Sequence, residues 1–324
     1  MTSARAAPPS ADRPATAAGP GPDSPAPAAT TPRAAAPMWS PAFARAYLVT
    51  MRPYLCFVSG AAGLVGLALA PALTPLALGA AFAALFASYG LGQALTDVFQ
   101  TDTDALSAPY RPLTQGAVRG RDVLLTSLTG LGLCGIVLGL LNQWTLPLSA
   151  LGVAGLATYS IAKRRWWAGP PWNAAVVALL PPIGYLCGGA PPAALVTSGD
   201  VVPATASVFF GYAVFVLLGY LKDVSADRAT GYRTLPVVAG PRTAIAVSGL
   251  CALAGLAASV TLLGRLVVAW RPADPRFLAA SALWLAGAAA LLVAHPLALR
   301  FSDEREAHRA IVWTVRGFVW LHTA

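Results

Sequence analysis

The residues able to do chemistry gather in two short stretches. One reads TDVFQTDTDALSAPYRPLTQG, from Thr96 to Gly116, and the other LKDVSADRATGYRTLPVVAG, from Leu221 to Gly240. Each closes a hydrophobic segment with spaced acids and continues into an Arg- and Pro-bearing stretch. Carboxylates are costly in lipid, so two such sets in so apolar a chain point to a shared ion-binding site in or beside a membrane. If the helix entering the first stretch continues through it, Asp97, Gln100 and Asp104 fall at i, i+3 and i+7 on one face, while Asp102 points the other way. Asp223 and Asp227, four apart, also share a face. Two such faces opposed across a cavity could hold one or two Mg²⁺ ions, which take carboxylate and substrate phosphate oxygens together. Metal on a diphosphate would neutralise it as a leaving group, and nearby basic residues would grip the remaining oxygens, Arg in bidentate fashion and Lys as a point charge. Solvated loop acids and helix caps are the plain alternative, and they suffice for Asp122, Asp303, Glu304 and Glu306. They account less well for two clusters built alike.

These residues sit in a chain of 324 residues that is 56% hydrophobic and 11% charged, with a mean hydropathy of +0.63. Soluble domains carry about 25% charged residues, so the composition is that of an integral membrane protein. The net charge of +9 comes from basic residues grouped in short loops. That grouping fits orientation in a bilayer rather than a nucleic-acid partner, and none is expected. Cys56, Cys134, Cys187 and Cys251 lie singly in apolar segments, as small hydrophobes do. His295, His308 and His322 are scattered near segment ends without zinc or haem spacing.

The positioning elements are read from apolar length. Residues 1–38 are an Ala/Pro-rich stretch expected to be a disordered tail, without the apolar run of a signal peptide. Met38, where it ends, is a candidate translation start. Over 39–324 nine segments approach the ~20 residues a crossing requires: 53–71, 75–96, 122–142, 146–163, 172–189, 204–221, 243–264, 277–298 and 307–323. The fifth and ninth are short, and Pro181-Pro182 should kink or break the fifth. The fold class expected is all-α, an integral membrane bundle of nine transmembrane helices around a central cavity. Lys and Arg crowd alternate loops, with Arg265, Arg271 and Arg276 as the exception. By the positive-inside rule the N-terminus and both acidic clusters face the cytoplasm of a multi-pass cell-membrane protein, and the C-terminus lies outside. The clusters end spans two and six, a spacing that hints at duplicated half-sites.

At these residues the chain resembles the UbiA superfamily of intramembrane prenyltransferases, with two Asp-rich motifs and nine transmembrane helices. The family's first motif, NDxxDxxxD before a P-x-R-P-L-x-x-G turn, aligns with Thr96, Asp97, Gln100 and Asp104, then Pro109, Arg111, Pro112, Leu113 and Gly116. The second, DxxxD before R-x-x-G-x-R-T-L-P-V, is intact as Asp223, Asp227, Arg228, Gly231, Arg233, Thr234, Leu235, Pro236 and Val237. Weaker echoes are Arg52-Pro53, Tyr159-Ser160 leading to Lys163, and Asn173. The resemblance implies Mg²⁺ as cofactor, with Asp97, Gln100, Asp104, Asp223 and Asp227 as its ligands and the four aspartates as the catalytic set. It implies diphosphate contacts from Arg52, Arg111, Lys163, Arg228 and Arg233, and a substrate pocket that includes Thr96, Tyr159 and Asn173. Thr96 and Gln100 depart from the motif; the neutral Gln100 removes a charge, so weaker or altered metal binding is expected on that side.

The implied partners are an isoprenyl diphosphate, a small aromatic or quinone-like acceptor, and the bilayer itself. The implied reaction is prenyl transfer through an allyl cation. A terpene cyclase of the same fold, acting without acceptor, is the alternative that Gln100 keeps open. A transporter using the acids as cation ligands is a third reading, disfavoured by so many Arg residues beside the acids.

Overall fold

The computed structural model describes residues 34–324 apart from 72, 268–273 and 301–302. Most of the stretch expected as a tail, residues 1–33, lies outside the described residues. Within 34–38, the Ala36 N–H donates to the Ala117 carbonyl at 3.0 Å, and Ala36 and Met38 pack beside Phe43 and Tyr47.

The described chain is helical. It opens with α1 (Pro41–Met51) and, after a 3₁₀ turn at Pro53–Leu55, α2 (Cys56–Leu69). Then come α3 (Pro75–Val98), α4 (Thr101–Ser107), α5 (Gly120–Leu141), α6 (Thr145–Lys163), α7 (Gly169–Val177), α8 (Leu180–Leu186) and α9 (Ala194–Thr197). The second half comprises α10 (Val201–Gly219), a 3₁₀ turn at Tyr220–Asp223, α11 (Val224–Ala229), α12 (Leu235–Ala239), α13 (Pro241–Val267), α14 (Pro275–Leu299) and α15 (Ala307–Thr323). Local chemistry sets several of the starts. Ser40, Thr74 and Asp274 each accept a backbone N–H from the first turn that follows, with Pro next in sequence. A side-chain cap satisfies an orphan donor, and Pro at the first position lacks one.

Among the described residues seven helical segments are long and apolar enough to cross a bilayer: Pro41–Leu69, Pro75–Val98, Gly120–Leu141, Thr145–Lys163, Val201–Ala229, Pro241–Leu266 and Pro275–Leu299. The first is longer than the expected 53–71 because α1 precedes it. The expected fifth span is the pair α7 and α8, broken at Ala178-Leu179 just ahead of Pro181-Pro182, whose rings cannot donate to the preceding turn. The expected ninth is the 17-residue α15.

Two expectations about the clusters need correction. The helix entering the first cluster does not run through it. It stops at Val98, bends at Phe99-Gln100 and restarts as α4, with Asp102 and Asp104 in the first turn. The run TDTD holds the helix weakly, since short polar side chains compete for the backbone, and acids are favoured at a new N-terminus. The second cluster is broken likewise, by the 3₁₀ turn carrying Asp223 ahead of α11 with Asp227. Each cluster then closes on a turn with a left-handed glycine, Gly116 at φ 68 and Gly231 at φ 77, a conformation open to Gly without a Cβ clash.

Small residues let the helices meet closely, as in lipid-embedded bundles. At the crossing of α2 and α8 a Cβ on Gly184 would lie 2.5 Å from the Gly63 carbonyl oxygen, and one on Gly66 would strike the Pro181 backbone. Gly287 and Gly317 do the same for α14 and α15. Gly184→Val should therefore cost about 1–3 kcal/mol by overpacking, read as a lower thermal unfolding temperature in detergent. Gly132→Ala, with nothing within 4 Å of its Cβ position in α5, should not lower that temperature, since Ala is the better helix former; equal effects would contradict the packing.

Candidate active site

A cavity of about 1560 Å³ runs among α2, α3, α5, α6, α7, α8, α10 and α15, and both acidic clusters stand at it. From the first come Thr96, Asp97, Gln100 and Asp104; from the second, Asp223. Arg52, Arg111, Tyr159, Lys163 and Asn173 line it too. Its deeper wall is apolar, formed by residues such as Leu131, Leu138, Val176, Leu180 and Ile183.

Each acid of the site is matched by a cation. Asp97 is buried near the end of α3; its Oδ2 lies 2.6 Å from Arg52 Nη2, and its Oδ1 accepts from Gln93 Nε2 at 2.9 Å, with Arg111 at 3.8 Å. Asp104 pairs with Arg111. Burial raises the Asp104 carboxyl above its ordinary range, with Arg111 pulling against the shift. Asp223 pairs with Lys222 at 2.9 Å. Arg52, which caps α1, holds φ 51, and it alone among the described non-glycine residues has a positive φ. Such strain persists where surrounding contacts impose it, and here the ion pair to Asp97 is one of them.

Lys163 joins the two clusters. The last residue of α6, it is 4% exposed, and its Nζ lies 3.0 Å from Asp227 Oδ1 and 3.4 Å from Gln100 Oε1. The rings of Tyr220 and Tyr232 flank the ammonium at 5.4 and 5.0 Å, a favourable cation–π arrangement. A second bridge is the hydrogen bond between the Thr103 and Thr230 hydroxyls at 3.1 Å, from α4 to the end of α11. Asp227 is fully buried behind the cavity wall. Its Oδ2 accepts from Thr234 Oγ1 at 3.2 Å, while its Oδ1 has the ammonium beside it but no aligned hydrogen bond.

Tyrosines continue the polar surface into the bundle. Tyr159 and Tyr220 share a hydroxyl hydrogen bond at 2.9 Å, as do Tyr89 and Tyr212 at 3.3 Å. Asp102 faces away from the cavity, as its helical position implies, and meets Arg164 at 3.1 Å and Tyr232 at 3.3 Å. Arg228 and Arg233 are not brought to the site. Both are exposed, and neither lines the cavity. The site also contains residues the motifs did not indicate. Gln93 stands one turn before Asp97, a polar residue inside an apolar span; Lys222 adjoins Asp223; and Arg316 is a charge inside the last helix. Trp166, Trp167 and Trp172 are exposed and outside the cavity wall, as interfacial anchors are.

Among the described residues no three His, Cys, Asp or Glu side chains gather to cage a metal. A hard divalent ion bound jointly with phosphate needs less, one or two carboxylates with substrate oxygens completing the shell. At the cavity the carboxylate oxygens of Asp223 and Asp104 and the amide oxygen of Gln100 are donors of the kind such an ion takes, while Asp227 Oδ1, behind the wall, lies against Lys163.

Fold and site together define a polytopic helical membrane protein whose cavity pairs carboxylates with cations. The family model for the UbiA prenyltransferase family matches residues 56–321, and the chain belongs to that family. It is a prenyltransferase, a transferase of alkyl groups acting in the membrane. The chain is 30% identical over 211 residues to a digeranylgeranylglyceryl phosphate synthase of Natronomonas pharaonis, covering 63% of this chain and 72% of that one. It is 28% identical over 184 residues to the bacteriochlorophyll synthase 33 kDa chain of Rhodobacter capsulatus, covering 53% and 58%. The fold matches the apo structure of a UbiA homolog from Aeropyrum pernix K1, with a TM-score of 0.70 at 20% identity over 83% of this chain and 96% of that one. It also matches a UbiA homolog from Archaeoglobus fulgidus bound to GPP and Mg²⁺, with a TM-score of 0.62 at 18% identity over 85% and 99%.

Breaking a buried ion pair from one side leaves an uncompensated charge, costing roughly 3–5 kcal/mol. Lys163→Met should therefore lower the thermal unfolding temperature sharply, and Lys163→Met with Asp227→Leu should recover much of the loss. A double variant no more stable than the single would count against the pair as the tie between the clusters.

Proposed function

We propose that the cavity binds an isoprenyl diphosphate with its head between the two acidic clusters and its chain in the apolar depth, and transfers the prenyl group to a membrane-soluble acceptor. The position of Lys163, in reach of Gln100 from one cluster and Asp227 from the other, carries this reading, because it makes one site of two distant stretches. In this reading Asp104, Gln100 and Asp223 would hold Mg²⁺ through their oxygens, and Asp227, behind the wall, holds Lys163 in place. Asp97, whose oxygens already accept from Arg52 and Gln93, positions Arg52 and Arg111. Those two arginines and Lys163 grip the diphosphate oxygens, with Lys222 at the rim. Arg228 and Arg233, expected among these contacts, face solvent and are given no part in binding.

When bound, the divalent ion supplies charge neutralisation to the departing diphosphate. The protein's cations, fixed in place by their carboxylate partners, add preorganised stabilisation as the allylic C–O bond breaks. The apolar wall keeps water from the cation, and the tyrosine rings offer it electron-rich faces. An electron-rich carbon of an aromatic or quinone-like acceptor attacks, and an acid of the cluster or the released diphosphate takes the proton. A second reading, favoured by the likeness to the Natronomonas pharaonis synthase, has a hydroxyl of a glyceryl phosphate attack instead. In either case the bundle crosses the bilayer nine times, α7 with α8 and α15 completing the seven long segments. The N-terminus and the diphosphate end of the cavity face the cytoplasm, by the distribution of Lys and Arg.

Asp104→Asn or Asp223→Asn should slow Mg²⁺-dependent diphosphate release from geranyl diphosphate by roughly 100-fold or more. Gln100→Asp should lower the Mg²⁺ concentration needed for half-maximal release, since ligand charge sets affinity for hard cations. Unchanged release in both Asn variants would sink the assignment, and a cyclic hydrocarbon formed without acceptor would turn it into a cyclase.

A further inference from the structure

The residues just ahead of α15 reach across to the second acidic cluster. In sequence Glu304 reads as a plain solvated loop acid beside Asp303. In the folded chain both of its carboxylate oxygens are engaged by one distant residue. Oε1 accepts the Ser225 backbone N–H and Oε2 the Ser225 hydroxyl, each at 2.7 Å. Ser225 stands between Asp223 and Asp227, and Glu304, Ser225 and Asp223 all line the cavity. A tight turn supports the contact from the other side. Asp303 Oδ1 accepts the N–H groups of Arg305 and Glu306 at 2.8 and 3.0 Å, which fixes the backbone from which Glu304 projects.

The Ser225 N–H belongs to the first turn of α11, where a helix leaves its donors unsatisfied. An aspartate at the N-cap is among the side chains best suited to accept such a donor. The N-cap residue here is Asp223, and its side chain makes no such bond. Its backbone lies at φ −117 and ψ 11, outside the extended conformation from which an N-cap side chain reaches the first turn. Both of its carboxylate oxygens lie instead against Lys222 Nζ, at 3.0 and 2.9 Å. An aspartate in this place has two competing uses, the cap of its own helix and the cavity. The Glu304 contact removes the first.

We propose that Glu304 is a positioning residue for Asp223: by taking the donor that Asp223 would otherwise cap, it keeps the Asp223 carboxylate turned toward the cavity. The proposal rests on the reading of Asp223 as a Mg²⁺ contact given above. Glu304 acts through Asp223 and holds no ion itself, because Ser225 engages both of its oxygens. The Ser225 hydroxyl supplies the second of two fixed points that set the plane of the Glu304 carboxylate. Without Glu304 the start of α11 rearranges, Asp223 folds back onto Ser225, and the metal-dependent part of diphosphate binding weakens.

The test uses the full chain in a neutral maltoside detergent and isothermal titration with geranyl thiolodiphosphate, in Mg²⁺ and again in EDTA. The ratio of the two affinities is the readout. Glu304→Ala should lower that ratio about five-fold, the population shift worth one N-cap, and change the affinity in EDTA by less than about two-fold. Glu304→Gln, which keeps an acceptor for the Ser225 N–H, and Ser225→Ala, which keeps the N–H itself, should each lower it less. In an Asp223→Asn background Glu304→Ala should cause no further loss. A Gln variant as impaired as the Ala variant would make the charge of Glu304 matter rather than its hold, and would overturn the proposal. So would an equal further loss in the Asp223→Asn background, because Glu304 would then act without Asp223. If Asp223→Asn lowers the ratio and Glu304→Ala does not, the positioning role alone fails. If Asp223→Asn leaves the ratio unchanged, the metal reading of Asp223 fails and the proposal with it. Should Glu304→Ala not fold, Ser225→Ala decides: its ratio must fall in the unchanged chain and not in Asp223→Asn.

Discussion

The pairing of Lys163 with Asp227 fixes much of what surrounds it. An ammonium and a carboxylate removed from water are tolerated only when each compensates the other, and these two belong to helices far apart in sequence. Holding them 3.0 Å apart draws the end of α6 against α11. The same ammonium reaches Gln100, so the bend between α3 and α4 is drawn in as well. The aromatic rings of Tyr220 and Tyr232 close around it, and the threonine bridge from α4 to α11 adds a second tie. Two acidic loops that could each have been a solvated helix end thereby become opposite sides of one cavity.

The other acids follow the same logic. Asp97 engages Arg52 and Gln93, Asp104 engages Arg111, and Asp223 engages Lys222. Four carboxylates face four cations, which lets a polar chamber persist inside a bundle whose helices meet through glycine. Such an arrangement is poised rather than inert, because an incoming polyanion with its counter-ion can exchange for these pairs charge for charge. The left-handed backbone of Arg52 is the local cost of aiming one cation inward from the junction of α1 and α2.

Much of this was legible in the chain itself. Apolar length placed the long helices beyond α1 to within a few residues, because a bilayer leaves little choice. Pro181-Pro182 announced the break in the fifth segment. The two motifs pointed to Asp97, Asp104, Asp223, Asp227 and Arg111, and weaker echoes to Arg52 and Lys163, since carboxylates and their cations are rare enough in such a sequence to stand out. What periodicity could not supply was direction after a bend. It carried α3 through Phe99-Gln100 without interruption, and the family resemblance gave Arg228 and Arg233 the same standing as Arg111. Only the packed bundle turned those two arginines to solvent, moved Asp227 behind the wall, and assigned Asp97 to Gln93 and Arg52. Whether a charge is paired depends on neighbours that only the tertiary fold brings near.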